Sequence, residues 1–215
     1  MISYNKTLKQ RNKLLKNFAT TNNFDSFTLE TYDELLIKYG KIIFCEREKY
    51  LQKLIPVFQQ YYLEISGGDE EVGIEYKSQL SDNVFLDLLK KSLEIDKVSS
   101  RTNVGIHKDD LVFTLNNYPI KKHGSQGQQK SFLISLKLAQ FEFMKMELGL
   151  DPILLLDDIF DKLDDKRVES IVRLVSEHNF GQIFITDTHK ERTEDIIKKI
   201  DDSYKIFDIK DGIVK

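Results

Sequence analysis

The sequence predicts an α/β protein in which helices flank a mostly parallel sheet and a helical arm is attached to this layer. Helix and strand patterns alternate over the last ninety or so residues. The apolar strands in this region, I-L-L-L at 153–156 and I-F-I-T at 183–186, have no polar face, which is typical of a parallel sheet covered on both sides. Helical patterns dominate the first hundred residues. We therefore place a boundary near residue 100, with the arm at 1–100 and the α/β layer at 101–215.

Composition limits the classes of protein to consider. The 215 residues, 40% hydrophobic and 31% charged, are typical of one or two globular domains rather than a disordered chain. The formal charge of -3 means that any contact with DNA needs a local basic face. The single cysteine, Cys45, excludes an internal disulfide and fits a reducing compartment. Without a signal peptide or membrane-spanning run, we expect a soluble cytoplasmic protein that does not contact a membrane.

Two long helices are predicted in the arm. The first covers the opening twenty residues, and the second runs from Thr28 to about Ile65 with apolar residues at spacings of three and four. Pro56 should kink or divide the second helix, and the Ser-Gly-Gly run at 66–68 should end it. We expect the two helices to pack as an antiparallel pair.

Shorter elements follow from residue 72 onwards. Ser81 or Asp82 is a candidate N-cap for the first helix of this part, and Asn116-Asn117 should form a tight hairpin turn. The predicted elements are a strand at 72–76, a helix at 81–95, a strand at 111–115, the turn and a second short strand within 116–120, a helix at 126–148, a strand at 153–157, a helix at 164–178, a strand at 183–186, a helix at 191–199, and strands at 204–209 and 213–214.

An apolar strand ends in two adjacent acids, Asp157 and Asp158. Ligands of open α/β sheets bind at the carboxyl ends of the strands, so a carboxylate there is placed to hold Mg²⁺ and its neighbour to polarise water. The alternative is that the acids serve only as a turn or a helix cap. For Asp164, which precedes the next helix, an N-cap is the favoured interpretation.

A glycine-containing turn, H-G-S-Q-G-Q-Q-K-S at 123–131, lies directly before the long helix at 126–148. Such a turn presents free backbone N–H groups and the positive end of the helix dipole to an anion. One interpretation is a P-loop using Gly124, Lys130 and Ser131, but Gln129 replaces its second glycine and no buried strand precedes it. A second is the signature loop of an ABC-type ATPase, which Ser125-Gln126-Gly127-Gln128 resembles. An ordinary helix cap is the third.

Together, G-S-Q-G-Q-Q-K-S, L-L-L-D-D-I-F-D-K-L-D and I-F-I-T-D-T resemble the C-terminal part of RecF, a bacterial recombination and repair ATPase. R-T-N-V-G-I-H-K-D-D-L at 101–111 also resembles a stretch of that family, with Ile106 and Lys108 as departures. The resemblance implies the second lobe and the back half of an ABC-type P-loop ATPase head. Since no P-loop motif occurs, we expect a portion of a longer protein that alone neither binds ATP tightly nor hydrolyses it.

The resemblance also implies roles for particular residues. The family binds ATP and Mg²⁺ between two head subunits, so the signature loop contacts ATP bound by the other copy. The implied roles are Mg²⁺ ligand for Asp157, catalytic carboxylate for Asp158, signature loop for Ser125, Gly127 and Gln128, dimer-contacting D-loop for Asp164, and γ-phosphate switch for His189.

Partners follow from the same resemblance: DNA at single-strand/double-strand junctions, the RecR and RecO mediators, and a second copy of the chain when ATP binds. Two groups of basic residues are candidate phosphate contacts: Lys6, Lys9, Arg11, Lys13 and Lys16, and Lys90, Lys91 and Lys97. His107, Asp109 and Asp110 resemble a metal cluster, although a structural polar network is the favoured interpretation. The alternatives for the whole chain are a non-enzymatic interaction module and a repair ATPase of the Rad50 or SMC type.

Overall fold

The computed structural model describes residues 1–21, 23–68, 70–149, 152–158, 161–177, 180–188, 194–195, 197–198, 204–210 and 212–214. Two compact units are present: Met1–Lys53 with Ile74–Val112, and Leu54–Gly73 with Phe113–Lys215. This division differs from the single boundary predicted near residue 100, because the long helix and the two strands after it each contribute residues to both units. The residue at which the arm ends and the head begins stays a prediction.

The described residues of the first unit contain three α-helices, α1 at Ile2–Thr21, the first part of α2 at Ser26–Ser66, and α3 at Phe85–Ser99, and a short 3₁₀ helix at Ile106–Lys108. Its core includes Tyr4 of α1 packed with Leu36 of α2, whereas Leu15 and Phe18 of α1 pack with Leu29. Later residues of α1 therefore meet earlier residues of α2, so the two helices run antiparallel, as predicted. Pro56 lies inside α2 and does not divide it.

Helix α3 begins four residues later than predicted. Neither Ser81 nor Asp82 caps it; the residue before the first turn is Val84, which makes no side-chain capping bond. Residues 81–83 form an exposed bend, and the helix begins at Phe85, the first residue of this segment that is buried in the core. Burial of an aromatic ring has therefore set the start of the helix in place of a polar cap.

The hairpin was predicted correctly. Strands β1 at Val72–Lys77, β2 at Asp110–Leu115 and β3 at Tyr118–Pro119 form a sheet in the order β1-β2-β3. β2 and β3 pair antiparallel, with Leu115 opposite Tyr118. Asn116 and Asn117 have φ values of 48° and 65°, the left-handed conformation that a two-residue hairpin turn needs and that asparagine tolerates.

The second unit contains the elements that position the candidate site. Strands β4 and β5 pair in parallel, with Leu156 opposite Ile185, and β6 pairs antiparallel with β7. The elements are α4 at Ile120–His123, α5 at Gln126–Leu148, β4 at Leu154–Leu156, α6 at Asp165–Glu177, β5 at Ile183–Ile185, β6 at Ile209–Lys210 and β7 at Ile213–Val214.

Three predictions for this unit need correction or stay open. The helical turn α4 was not predicted. The strand predicted at 204–209 is also wrong over residues 204–208, since the observed strand begins at Ile209. Most of the predicted helix at 191–199 lies outside the described residues. Leu154 and Leu156 are buried, but Leu155 and Phe184 are 66% and 46% exposed, so only one face of this strand pair is covered in the part of the chain that the structure describes.

Among all the described residues, no helix combines the length and apolar character that crossing a membrane requires.

Candidate functional site

The two parallel strands bring an acid and a hydroxyl to the same edge of the sheet. Asp157 follows β4 and Thr186 follows β5, and the Thr186 hydroxyl donates a hydrogen bond to Oδ1 of Asp157. The backbone continues the pairing beyond the strands, since the Asp158 N–H donates to the Thr186 carbonyl at 3.1 Å and to its Oγ1 at 3.0 Å. These contacts fix both acids at the carboxyl end of β4, where the sequence placed them.

Asp158 is held by its backbone, and its carboxylate is exposed. Its φ of 46° is left-handed, a conformation that few residues other than glycine, asparagine and aspartate adopt readily. Its carbonyl accepts a hydrogen bond from Nζ of Lys130, at 2.5 Å, which joins the acidic turn to the first turns of α5. The carboxylate of Asp158 is therefore presented to solvent in a defined position.

The fit of Mg²⁺ to this site depends on how many ligands the protein must supply. Within the described ranges, no group of three or more His, Cys, Asp or Glu side chains could hold a metal by itself. Mg²⁺ bound with a nucleotide often takes one or two carboxylates, with phosphate oxygens and water as the other ligands. Asp157 is exposed, and its Oδ2 is not used by the Thr186 contact. The residues present thus fit a magnesium ion that is shared with phosphates.

The loop at 125–128 forms the N-terminus of α5. Ser125 is the N-cap, its Oγ accepting from the Gln128 N–H at 3.2 Å, and the Gln128 side chain accepts in return from the Ser125 N–H at 2.7 Å. This capping box leaves the next N–H groups of the first turn directed out of the helix end. The sequence interpretation as a helix cap and the interpretation as an anion-binding loop therefore describe the same geometry.

Gly127 permits the loop to lie close to the segment that follows β4. A β-carbon at this position would come within 3.2 Å of the Lys162 carbonyl oxygen, which is closer than ordinary van der Waals contact. The segment that carries Lys162 leads directly to Asp164 and α6. A glycine consequently lets the loop at 125–128 and the predicted D-loop segment meet without a shift of either backbone.

Glu70 joins the loop to α6 and to the end of α2. Its Oε1 accepts from Gln128 Nε2 and from Arg167 Nη2, both at 3.0 Å, and its other oxygen accepts from the Tyr62 hydroxyl. Burial alone would raise the pKa of Glu70. The hydrogen bonds from Gln128 and Tyr62, together with the Arg167 guanidinium, outweigh burial and hold that pKa below its ordinary value.

Asp164 is the N-cap of α6, as the sequence predicted. Its Oδ1 accepts from the Arg167 N–H at 2.9 Å, and its Oδ2 lies 3.5 Å from Nε of the same arginine. The role of Asp164 in contacts between two heads stays a prediction.

The P-loop alternative is wrong. Ser131, which would supply the hydroxyl of such a loop, is fully buried and accepts a hydrogen bond from Nη1 of Arg167 at 2.9 Å. The turn also follows the helical turn α4 instead of a buried strand. A P-loop serine has to reach a metal ion next to the phosphates, so Ser131 belongs to the packing of α5.

His107 and Asp109 belong to a structural polar network in the first unit. The Nδ1 and Nε2 atoms of His107 lie 3.0 Å from the Tyr4 hydroxyl and the Thr102 carbonyl oxygen, and burial lowers the pKa of this histidine. Asp109 accepts from Arg47 Nη1 at 2.7 Å and from the Tyr76 hydroxyl. Asp110 is exposed and accepts from the N–H of the next residue. The favoured sequence interpretation agrees with these contacts.

Arg11 is not an exposed DNA contact, so that part of the prediction is wrong. The side chain is fully buried, with Nε 2.5 Å from Asp33 Oδ1 and Nη1 2.7 Å from Asp96 Oδ2. Nη1 also donates to the Thr102 hydroxyl, and Nη2 has no hydrogen-bond partner among the described residues. The helical period explains the result, because Arg11 lies on the face of α1 that also buries Tyr4 and Leu15.

The structure thus brings Asp157, Asp158 and the loop at 125–128 into one region of the second unit, whereas His189 lies outside the described residues. Sequence reasoning missed four partners of this region: Thr186, Lys130, Glu70 and Arg167. The rule that identified Asp157 could have identified Thr186, since it is the first polar residue after an apolar strand. Glu70 has no comparable signal, because its partners on α5 and α6, Gln128 and Arg167, lie 58 and 97 residues away.

Known proteins resemble the chain over nearly all of its length. It is 51% identical over 209 residues to the DNA replication and repair protein RecF of Flavobacterium johnsoniae, which is 97% of this chain and 58% of that protein. It is 46% identical over 219 residues to the RecF of Bacteroides thetaiotaomicron, covering 100% of this chain and 57% of the relative. No family model matches. The chain therefore spans less than two thirds of the length of the curated relatives it matches.

Solved structures share the fold. The structure of the recombination mediator protein RecF-ATPrS in the RecFOR pathway is 34% identical, with a TM-score of 0.77 over 99% of this chain and 56% of that one. An Smc head domain of Pyrococcus furiosus, with an extended coiled coil bound to the C-terminal domain of ScpA, has a TM-score of 0.52 at 15% identity, over 99% of this chain and 52% of that one. The second likeness is one of fold alone. The predicted class, a head with a parallel sheet and a helical arm, is confirmed.

Proposed function

Because the chain belongs to the RecF family of DNA replication and repair proteins, we propose that it supplies part of a composite ATP site in a protein that binds DNA at single-strand/double-strand junctions. The acidic pair at the end of β4 carries this proposal. Asp157 and Asp158 stand at the strand end where α/β proteins bind ligands, and both side chains are exposed. Since the chain spans 58% of its F. johnsoniae relative, the activity is proposed for the whole protein.

In this proposal Asp157 is the protein ligand of Mg²⁺, and Asp158 orients the attacking water. The Thr186 hydroxyl occupies Oδ1 of Asp157 and keeps the carboxylate in one orientation, which leaves Oδ2 for the metal. The exposed carboxylate of Asp158 accepts a proton from water, a role that needs an unpaired acceptor close to the phosphates. Mg²⁺, when bound, neutralises charge that develops on the phosphate oxygens.

Ser125, Gly127 and Gln128 are proposed to contact ATP that a second copy of the protein holds. A serine hydroxyl has one donor and two acceptor sites, so capping the Gln128 N–H leaves the Ser125 O–H free to donate to a phosphate oxygen. The first-turn N–H groups and the helix dipole add further attraction for an anion. A related RecF has been solved as RecF-ATP, which supports ATP as the nucleotide.

Further roles complete the proposal. Asp164 would contact the second head across the dimer, and His189, which follows β5 in the sequence, would sense the γ-phosphate. ATP-dependent pairing of two copies would then control binding of DNA in the cytoplasm, with RecR and RecO as mediators. A related structure is described as part of the RecFOR pathway, which supports this assignment of partners.

Complementation tests the nucleotide site. The chain alone is expected to bind ATP weakly and to hydrolyse none. Mixed with the part of the F. johnsoniae RecF that this chain does not span, it should bind a fluorescent ATP analogue with Mg²⁺, and Asp157→Ala should abolish that binding. Asp161→Ala, which removes another exposed acid of the same segment, is the matched control and should bind normally.

Two results would contradict the proposal. Robust hydrolysis by the chain alone would show that the site is complete without a second part. A stable complex of the two parts that binds no nucleotide would favour the alternative of a non-enzymatic interaction module.

A further inference from the structure

Four exposed lysines, Lys6, Lys9, Lys13 and Lys16, lie along one face of α1. Their spacings of three, four and three residues keep them within a narrow sector of the helix, and the rise from first to last is about 15 Å. We name this surface the α1 lysine stripe. We propose that it binds the phosphate backbone of duplex DNA, an inference that rests on the DNA-binding function proposed above and assigns it a surface.

The charge of the stripe is not compensated by its own helix. α1 contains no aspartate or glutamate, and in the described ranges none of the four lysines forms an ion pair. Lysines on other helices do form ion pairs: Lys49 lies 2.8 Å from Glu46, and Lys97 lies 2.8 Å from Glu94. In a chain with a net charge of -3, α1 is therefore a local region of positive charge. Such a region attracts polyanions whatever the total charge of the molecule.

The opposite face of α1 fixes the orientation of the stripe. Arg11 is anchored there by Asp33 and Asp96, and Leu15 is fully buried on the same side. The helix cannot turn about its axis without breaking these buried ion pairs. The backbone positions of the four lysines are consequently fixed in a row, so contact with a regular row of phosphates requires no rearrangement of the helix.

The composition of the exposed face favours duplex over single-stranded DNA. Proteins that bind single strands combine basic grooves with exposed aromatic rings on which bases stack. The aromatic side chains of α1, Tyr4 and Phe18, are 1% and 9% exposed, so the helix offers no stacking surface. Contacts to phosphates alone read no sequence, and duplex DNA presents phosphates at high and regular density. The stripe therefore fits the double-stranded side of a junction.

The test compares two variants that remove the same charge. Binding of the chain to a fluorescein-labelled DNA duplex is measured by anisotropy over a series of salt concentrations, for K6Q/K9Q/K13Q/K16Q and for K38Q/K41Q/K49Q/K53Q. The second set lies on α2 in the same unit, on a helix that also carries Glu34, Glu46 and Glu48. Replacement of the stripe should raise Kd at least about tenfold and lower the slope of log Kd against log salt by about 2 to 4. The α2 set should change both much less.

A further variant, K6R/K9R/K13R/K16R, keeps the charge and should keep the affinity, which separates charge from any effect on folding. Equal weakening by the two glutamine sets, no weakening by the stripe set, or no binding of duplex by the unaltered chain at low salt would overturn the inference. Tighter binding of a single strand than of the duplex would also overturn it. These outcomes are independent of the complementation test, because that test measures nucleotide binding in the second unit.

Discussion

Two constellations of charge in this molecule are held in opposite ways. In the first unit, Arg11 and Asp96 are fully buried and joined by a hydrogen bond of 2.7 Å from Nη1 of Arg11 to Oδ2 of Asp96. In the second unit, Asp157 and Asp158 are exposed, and the backbone pairing with Thr186 fixes where they stand. The buried pair can contribute only to folding, whereas the exposed acids keep lone pairs available for a ligand.

The difference separates charges that stabilise the fold from charges that are available to bind a ligand. A buried ion pair needs both partners, since removing one leaves an uncompensated charge in a medium of low dielectric constant. Exposed acids at a strand end interact weakly with the rest of the fold, so their removal should cost little stability. Substitutions in each constellation, with Glu70 as an intermediate case, test this contrast.

The largest loss of stability is expected for Arg11→Met. The change keeps the length of the side chain but leaves Asp96 buried without its cation, which costs about 3 to 5 kcal/mol in free energy of unfolding. Urea denaturation of the chain measures it. The control is Lys13→Met on the exposed face of the same helix, which should change stability by less than about 0.5 kcal/mol. Equal effects of the two substitutions would contradict the structural role of Arg11.

An intermediate loss is expected for Glu70→Gln, because Glu70 and Arg167 are 16% and 15% exposed at their side chains. Loss of the charged acceptor should cost about 1 to 3 kcal/mol near neutral pH. Because folding lowers the pKa of Glu70, its contribution is complete above the unfolded-state pKa of about 4.3 and is lost as the pH falls through the lower folded-state pKa. The stability difference between wild type and E70Q should therefore shrink on acidification.

Denaturation midpoints of both proteins between neutral and acidic pH give this difference. Glu94→Gln, at an exposed ion pair on α3, is the control and should show little difference at any pH. A difference for E70Q that stays constant with pH would show that Glu70 acts by packing and not by charge.

The smallest change in stability is expected for Asp157→Asn. The amide keeps an oxygen that can accept the Thr186 hydrogen bond, so the free energy of unfolding should change by less than about 0.5 kcal/mol. Magnesium-dependent nucleotide binding in the complementation mixture should nevertheless be lost. A large loss of stability in D157N would show that Asp157 stabilises the fold as Arg11 and Asp96 do. It would therefore contradict the contrast between the two constellations.

Local signals predicted the elements that depend on neighbouring residues. The N-caps Ser125 and Asp164 and the Asn-Asn turn combine residue chemistry and position within a few residues of each other, and their elements lie where the sequence placed them. The acids at the end of β4 belong to the same group, since an apolar strand followed by polar residues is readable in one stretch.

Contacts between residues that lie far apart in the sequence could not be predicted from it. Arg11 pairs with Asp96, which lies 85 residues further along the chain. Its sequence neighbours Lys9 and Lys13 therefore suggested an exposed side chain where the fold has a buried one. Glu70 and Arg167 are separated by 97 residues, and nothing near either residue indicates the other. The exposed face of β4 was also mispredicted, because an all-apolar strand shows which residues can be buried but not which face the rest of the chain covers.

The left-handed backbone at Asp158 affects how its carboxylate can be studied. Alanine at a φ of 46° is strained, so the usual scanning substitution would disturb the turn and remove the acid in one step. Asparagine tolerates that conformation, so Asp158→Asn isolates the chemistry of the charge, whereas Asp158→Gly removes the whole side chain without straining the turn. The conformation also restricts which acidic residues this position accepts without backbone strain. Fewer substitutions are therefore expected to be tolerated here than the exposure of the side chain to solvent suggests.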